Sequence, residues 1–174
     1  MKSQVHLDML EKIQAGKGFF AAFDQSNDSP QNSLQHYGIT EKRYTDDAEM
    51  FTKLHLMNTR IMTSEAFSGD RILGAILFEN TLNRDIQGLA TADYLWQEKH
   101  VVPFLKVDIG LEEPHNGVQL MKPIPDLNII LDKAVDKNIF GCKMRGLIKF
   151  ANYSGIHIIV AQLFAVSAQI LAKG

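Results

Sequence analysis

A chain of 174 residues with 45% hydrophobic and 22% charged residues is long enough for one domain with a sizeable core. This proportion of apolar residues excludes a mainly disordered protein, because enough apolar surface can be buried to offset chain entropy. The formal net charge of −2 excludes the basic composition typical of proteins that bind nucleic acid or acidic membranes.

The single cysteine, Cys142, excludes an intramolecular disulfide and a cysteine-based zinc cluster. The N-terminal residues lack the apolar core of a signal peptide, and the longest apolar runs are far shorter than the ~20 residues of a membrane span. The six histidines show no spacing typical of metal ligands. We therefore expect one soluble cytoplasmic domain over residues 1–174 without a metal site.

Four short apolar runs have the character of β-strands. They cover residues 18–23, 72–78, 101–107 and 139–144. Each run is apolar at consecutive positions rather than alternate ones, which is typical of parallel strands buried on both faces. The sequence therefore predicts four buried strands.

The segments between and after these strands have the spacing of helices. The ranges are 47–61, 91–98, 127–135 and 157–173. In the first range the apolar residues on one face are Met50, Leu54, Met57 and Ile61, and in the last they are Ile159, Leu163, Val166 and Ile170. Each predicted strand is thus followed by a predicted helix.

Alternating strands and helices predict βαβ units with a parallel sheet and right-handed crossovers. Two architectures fit this order. A flavodoxin-like open sheet is favoured by length, since a complete eight-stranded barrel needs roughly 200–250 residues. The first four βα units of a TIM-type (β/α)8 barrel, incomplete in this chain, are favoured by the polar residues that follow the strands.

Polar or ionisable residues stand at the C-terminal end of every predicted strand. They are Asp24, Gln25 and Ser26, then Glu79 and Asn80, then Lys106 and Asp108, and finally Lys143 and Arg145. Residues two apart on a strand point to the same face, and strand ends converge at one end of a barrel. We expect two lysines, one arginine and two aspartates to share a small volume there.

This combination of charges suits a phosphorylated carbonyl substrate. Burying ions is costly, and a lysine crowded by other cations loses its proton more readily and can attack a ketone. The other cations would hold phosphates, and an aspartate could transfer protons. An interior network of structural ion pairs is the alternative that the residues themselves leave open.

Several segments resemble bacterial-type class I fructose-bisphosphate aldolases. They are GKGFFAAFDQS, LQHYGI, RILGAILFENTLNRDIQG, ADYLW, VVPFLKVD, NGVQLMKPI and IFGCKMR, and together they extend through essentially all 174 residues in the family's order. The resemblance identifies the N-terminal portion of such an enzyme. It implies a (β/α)8 barrel and a lyase of cytoplasmic glycolysis. That lyase cleaves fructose 1,6-bisphosphate reversibly into dihydroxyacetone phosphate and glyceraldehyde 3-phosphate, without a metal or cofactor.

The resemblance also implies roles for individual residues. Asp24 would handle substrate hydroxyls and orient the reacting lysine, Lys106 matches a lysine on the third strand, and Lys143 would assist proton transfer and carbinolamine chemistry. Ser26 and Arg145 would bind substrate. Without the resemblance, Asp24 could instead cap a helix, and the lysines and Arg145 could form structural ion pairs.

Three short stretches depart from the family's pattern. Residues 26–29 read SNDS where the family has a glycine-rich turn, Ile109 replaces a second lysine after the third strand, and Gly146-Leu147 replaces a Ser-Asn pair. Glycines permit positive φ and close approach of a ligand to the backbone. Asp28 adds a negative charge where the resemblance places a substrate phosphate, and Ile109 removes one cation from the rim of the site.

The family's Schiff-base lysine lies on a sixth strand, beyond the residues that this chain matches. We expect the chain alone to lack the nucleophile and to be inactive, unless Lys143 substitutes for it. Two further hypotheses are a catalytically silent truncated paralogue that self-associates or binds another subunit through exposed barrel edges, and a protein that binds sugar phosphates without turnover.

Overall fold

The computed structural model describes residues 4–26, 29–149 and 155–172. The helices are α1 (Gln4–Ala15), α2 (Ser29–His36), α3 (Asp47–Met62), α4 (Glu79–Leu82), α5 (Thr91–Gln97), α6 (Leu127–Asp136) and α7 (Ile156–Leu171). The strands are β1 (Phe19–Phe23), β2 (Ile72–Leu77), β3 (Asp85–Ile86), β4 (Leu89–Ala90), β5 (Val102–Lys106), β6 (Val118–Gln119), β7 (Gly141–Lys143) and β8 (Leu147–Ile148). A short 3-10 turn, Glu41–Arg43, lies between α2 and α3.

The main sheet has four parallel strands in the order β1-β2-β5-β7. These are the four strands that the sequence predicts, and their order in the sheet is their order along the chain. In a flavodoxin-like sheet the strands are also parallel, but their order across the sheet is 2-1-3-4-5 rather than the order along the chain. The sequential order is instead that of an α/β barrel, of which this sheet forms part.

One face of the sheet packs against the helices and forms the main core. Phe23, Leu77 and Leu105 lie side by side in the strand register and are at most 4% exposed. They contact side chains of the helical layer such as Leu95 and Leu131. Burial of this continuous apolar layer is the main favourable contribution to folding.

The opposite face of the sheet carries aromatic rings over a glycine. The Phe20 and Phe104 rings meet edge to face at 5.3 Å, and a Cβ at Gly74 would lie only 2.7 Å from the Phe20 ring. Only a residue without a side chain leaves room for the two rings between their strands. Gly74 therefore sets how closely this face of the sheet can be packed.

The prediction that every strand is buried on both faces is wrong for β1. Phe19 is 58% exposed and Phe20 is 45% exposed, and no residue of β7 is fully buried. The reason is position, because β1 and β7 are the edges of the sheet whereas β2 and β5 each have a neighbour on both sides. The apolar composition of residues 19–23 predicted a strand, but it could not show whether other parts of the protein would pack against that strand.

The predicted helices are confirmed as α3, α5, α6 and α7, with ends within two residues of the predicted ones. The side chain of Asp46 accepts a hydrogen bond from the Glu49 backbone N–H at 2.8 Å and caps α3. In α7, Ile159 is buried, and Val166 and Ile170 pack against the core. No helix in the described ranges is long and apolar enough to cross a membrane.

Three helices were not predicted: α1, α2 and the single-turn α4. In α1, Met9 is buried, and the Lys12 Nζ donates a hydrogen bond to the Gly69 carbonyl at 2.8 Å. In α2, Leu34 is fully buried and joins a second small apolar cluster with residues of α3. Helix α1 buries only Met9 and α2 buries only Pro30 and Leu34, and one or two buried apolar residues among polar ones are too weak a pattern to detect by periodicity.

We expect Leu105→Ala to destabilise the protein by about 2–5 kcal/mol, because it leaves a cavity at the centre of β5 in the main core. The matched control is Ile129→Ala on α6, which removes an aliphatic side chain that is 65% exposed and should change stability by less than ~0.5 kcal/mol. Urea denaturation followed by circular dichroism measures both. Equal losses of stability would contradict this description of the core.

Candidate active site

Two lysines lie next to each other at the C-terminal end of the sheet. Lys106 ends β5, Lys143 ends β7, and the two are partners in the parallel register. Lys106 is 7% exposed, while the Lys143 side chain retains 27% of its exposure. The predicted convergence of these two lysines is therefore observed.

Asp108 lies between the two ammonium groups. Its Oδ1 is 3.1 Å from the Lys106 Nζ and its Oδ2 is 3.7 Å from the Lys143 Nζ. Lys106 also donates a hydrogen bond to the Asp108 carbonyl oxygen. The Asp108 side chain is fully buried, yet neither carboxylate oxygen has a well-directed hydrogen bond from a described residue. Charge holds this carboxylate in place and leaves its lone pairs free to accept further hydrogen bonds.

Asp24, which directly follows β1, reaches Lys143 on the other edge of the sheet. Its Oδ2 accepts a hydrogen bond from the Lys143 Nζ at 2.8 Å. In a flat sheet the three strand spacings between β1 and β7 would separate these strands by about 14 Å. The contact is made because the sheet curls like the wall of a barrel. Asp24 thus pairs with a lysine, whereas its alternative role was to cap a helix.

Arg145 does not join this cluster, which corrects one prediction. The sequence placed it on the fourth strand with its side chain beside Lys143, but β7 ends at Lys143 and Arg145 is exposed. Among the described residues its side chain has no hydrogen bond or ion pair. The residue-spacing argument failed because it holds only while the chain remains extended. A substrate-binding role for Arg145 stays a prediction.

Ser26 lies in the turn that leads from β1 to α2. Its backbone N–H donates to the Ser29 Oγ at 2.8 Å, and its carbonyl accepts from the same hydroxyl at 2.7 Å. These bonds shape the turn and involve no member of the lysine–aspartate cluster. Asn27 and Asp28, the residues that replace the family's glycines, lie outside the described residues. The binding role of Ser26 therefore stays a prediction.

The polar residues after β2 turn away from the cluster. The Glu79 Oε1 lies 2.6 Å from the Lys133 Nζ on α6, with both side chains more than a third exposed. Asn80 accepts a hydrogen bond from the Arg84 Nε at 3.0 Å. A polar residue at a strand end is thus not enough to mark a site, because the first turn of the following helix can rotate it toward the helical layer.

A small antiparallel pair was not predicted and lies beyond the lysines. It joins β6 to β8 through the register partners Val118 and Ile148. The Gln162 side chain on α7 ties this pair to the last helix by accepting from the Met121 N–H at 2.9 Å and donating to its carbonyl at 2.8 Å. Asn116 and Gly117, which directly precede β6, have positive φ angles of 49° and 78°. Asn-Gly is a common turn sequence, so this dipeptide could have indicated the tight turn before β6.

Cys142 does not add a reactive nucleophile to the site. Burial raises the pKa of the Cys142 thiol to about 11, so this group stays protonated at neutral pH and is a poor nucleophile. It is partly buried and packs against the main core. Within residues 4–26, 29–149 and 155–172, no group of three histidine, cysteine, aspartate or glutamate side chains could hold a metal ion.

The sequence has a close relative among characterised enzymes. It is 52% identical over all 174 residues to the class 1 fructose-bisphosphate aldolase of Synechocystis sp., and it covers 58% of that protein's length. The chain thus spans somewhat more than half of the relative it matches. No family model matches the sequence. The predicted resemblance to class I fructose-bisphosphate aldolases is confirmed.

The fold has a relative among solved structures. It resembles the fructose-bisphosphate aldolase of Plasmodium falciparum, solved in complex with TRAP and a small-molecule inhibitor, with a TM-score of 0.60. The likeness covers 83% of this chain and 41% of that one at 18% identity. At this identity the comparison shows the fold alone, and it confirms that the chain forms part of an α/β barrel.

We expect Asp108→Ala to destabilise the protein by about 3–5 kcal/mol, because it leaves the Lys106 ammonium buried without its counter-ion. The double variant Lys106→Met/Asp108→Ala removes both charges and should recover part of this loss. Urea denaturation of the wild type, both single variants and the double variant measures the coupling. Additive losses would show that the two side chains do not depend on each other.

Proposed function

With the relationship to class I fructose-bisphosphate aldolases as premise, we propose that this chain supplies the Asp24, Lys106 and Lys143 part of an aldolase active site. The observation that carries the proposal is the convergence of two lysines and two aspartates at the C-terminal end of the sheet. This is the end at which barrel enzymes build their active sites. The ligand is a phosphorylated sugar, whose phosphate and hydroxyl oxygens match ammonium donors and carboxylate acceptors.

The proposed reaction is the reversible cleavage of fructose 1,6-bisphosphate into two triose phosphates in cytoplasmic glycolysis. Lys143 and Asp24 are joined by a 2.8 Å hydrogen bond and are both partly exposed, so they can exchange a proton with a bound sugar. The ammonium of Lys143 would protonate a departing hydroxyl, and the carboxylate of Asp24 would accept a proton from a substrate hydroxyl. Lys106, which is paired with Asp108, would bind an oxyanion.

We propose that neither lysine is the Schiff-base nucleophile. An amine attacks a carbonyl through a free lone pair, which an ammonium lacks. Lys143 contacts the carboxylates of both Asp24 and Asp108, and Lys106 contacts Asp108, which are partners that suit the charged form. We therefore propose that the nucleophile is a different lysine, as the family resemblance implies, and that these 174 residues bind substrate without turnover.

We expect no covalent adduct when the 174-residue protein is treated with dihydroxyacetone phosphate and sodium borohydride, because both lysines at the site are held by carboxylates. Intact mass and peptide mapping give the measurement. Isothermal titration calorimetry with the same ligand should show binding that weakens by at least about tenfold in Lys106→Met.

A complete class I aldolase trapped under identical conditions is the positive control for the borohydride reaction. The matched control for binding is Lys17→Met, which removes an exposed lysine that precedes β1 and therefore lies at the opposite end of the strands from the cluster. An adduct on Lys143 would contradict the proposal that the nucleophile is a different lysine. Absence of heat with any triose or hexose phosphate would sink the binding role.

A second candidate function is a self-associating module, and exposed apolar groups favour it. Phe19 on the edge strand β1 is 58% exposed, and Phe164 and Leu171 on α7 are 72% and 76% exposed. An unpaired strand edge and large exposed apolar side chains invite another chain to cover them. Two copies of this chain could pair through these edges and complete a barrel-like wall.

On this second hypothesis, the wild-type protein should sediment as a concentration-dependent mixture of monomer and dimer. Phe19→Asp should shift it to monomer, because a carboxylate at the strand edge would have to be desolvated in the pair. Ile129→Asp on α6 is the control, since it places the same charge at a position that is 65% exposed but away from the strand edge. A wild-type monomer at all concentrations would rule out self-association.

A further inference from the structure

A cavity of about 280 Å³ opens on the surface between α3 and the segment that joins α2 to the 3-10 turn. Its apolar lining comes from Ile39, Leu56 and Met57, with the Tyr37 ring beside them. Leu56 is 62% exposed and Tyr37 is 41% exposed, whereas Met57 is buried. The bottom of the cavity is therefore formed by the buried side chain of Met57, and its rim is formed by apolar side chains that are exposed to solvent.

Three cations surround this hollow. Lys53 and Arg60 come from α3, and Arg43 comes from the 3-10 turn. Lys53 pairs with Glu49 at 3.2 Å, but the side chains of Arg43 and Arg60 have no ion pair or hydrogen bond with any described residue. The whole chain carries a net charge of −2, so this concentration of positive charge is a local feature.

The spacing of the lining residues on α3 indicates the shape of the occupant. Lys53, Leu56, Met57 and Arg60 stand at i, i+3, i+4 and i+7, which places them on one face of the helix. The backbone positions of Lys53 and Arg60 are about 10.5 Å apart along the axis. Cations spread along this face match carboxylates spread along an extended peptide, which advances ~3.3 Å per residue.

We propose that this cavity binds an acidic peptide segment of a partner protein, in which two carboxylates flank one bulky apolar side chain. The apolar side chain sits on Leu56 and Met57, and the carboxylates pair with Arg60 and with Arg43. Arginine is suited to this role because its planar guanidinium binds a carboxylate through two parallel hydrogen bonds. The proposal is independent of any sugar chemistry at the lysine–aspartate cluster.

A small organic anion fits the cavity less well. Sites for nucleotides and similar ligands measure roughly 300–1,000 Å³ and enclose most of the ligand's surface. This cavity is smaller and leaves its rim residue Leu56 mostly in solvent. Such a shallow hollow suits one anchoring side chain, with the rest of the partner lying across the surface.

The test uses fluorescence anisotropy of a fluorescein-labelled peptide with the core Asp-Gly-Phe-Gly-Asp, titrated with the whole 174-residue protein. Saturable binding is expected, with affinity that falls as salt is raised. Arg60→Glu and Leu56→Asp should each weaken it by about tenfold or more. Both residues are exposed, and thermal melts verify that the variants stay folded.

The matched control is Lys122→Glu, which makes the same change in net charge at an exposed lysine outside the cavity and should change the affinity by less than about twofold. Two control peptides carry asparagine in place of both aspartates, or glycine in place of phenylalanine, and should bind at least about tenfold more weakly. Equal losses in Lys122→Glu and Arg60→Glu, or full binding of the glycine peptide, would overturn the proposal in favour of unspecific attraction between charges. Equal competition by inorganic phosphate would overturn it in favour of a small-anion site.

Discussion

Lys106 and Lys143 are register partners on adjacent parallel strands, so two ammonium groups have to share one end of the sheet. Neighbouring strands are only about 4.8 Å apart, so the repulsion between the two ammonium groups has to be offset by carboxylates close to both. Asp108 lies between the two lysines, and Asp24 holds Lys143 from the far edge. The local structure of the site depends on this balance of charges, and the contact between Asp24 and Lys143 in turn requires the curvature of the sheet.

The hydrogen bond from Lys143 to Asp24 links the two edge strands across a curled sheet. Curling brings the strand ends together, while β1 and β7, as the first and last strands of the sheet, have no neighbour on their outer edges among the described residues. The exposure of Phe19 and Phe20 follows from this arrangement. The same geometry therefore supports both candidate functions, because it gathers charges at one end of the sheet and leaves apolar edges for another chain.

Helix α3 serves two separate surfaces. Met50 and Leu54 on its inner face join the second apolar cluster, while Lys53 and Arg60 lie beside the surface cavity. An amphipathic helix can change its outer residues without disturbing the inner ones. A docking surface on the helical layer can thus differ among related barrels that keep the same cluster of lysines and aspartates.

The sequence by itself determined the four parallel strands and the helices that follow them, because side-chain periodicity is a local rule. It also predicted that Lys106, Lys143 and the two aspartates converge, because the C-terminal ends of parallel strands meet at one end of a sheet. Only the tertiary structure decided that β1 is exposed, that Arg145 makes no ion pair with a described residue of the cluster and that Lys143 is the partner of Asp24. These outcomes depend on where a strand ends and how the sheet bends. The two members of that last pair are 119 residues apart in the chain, and no local pattern records such a contact.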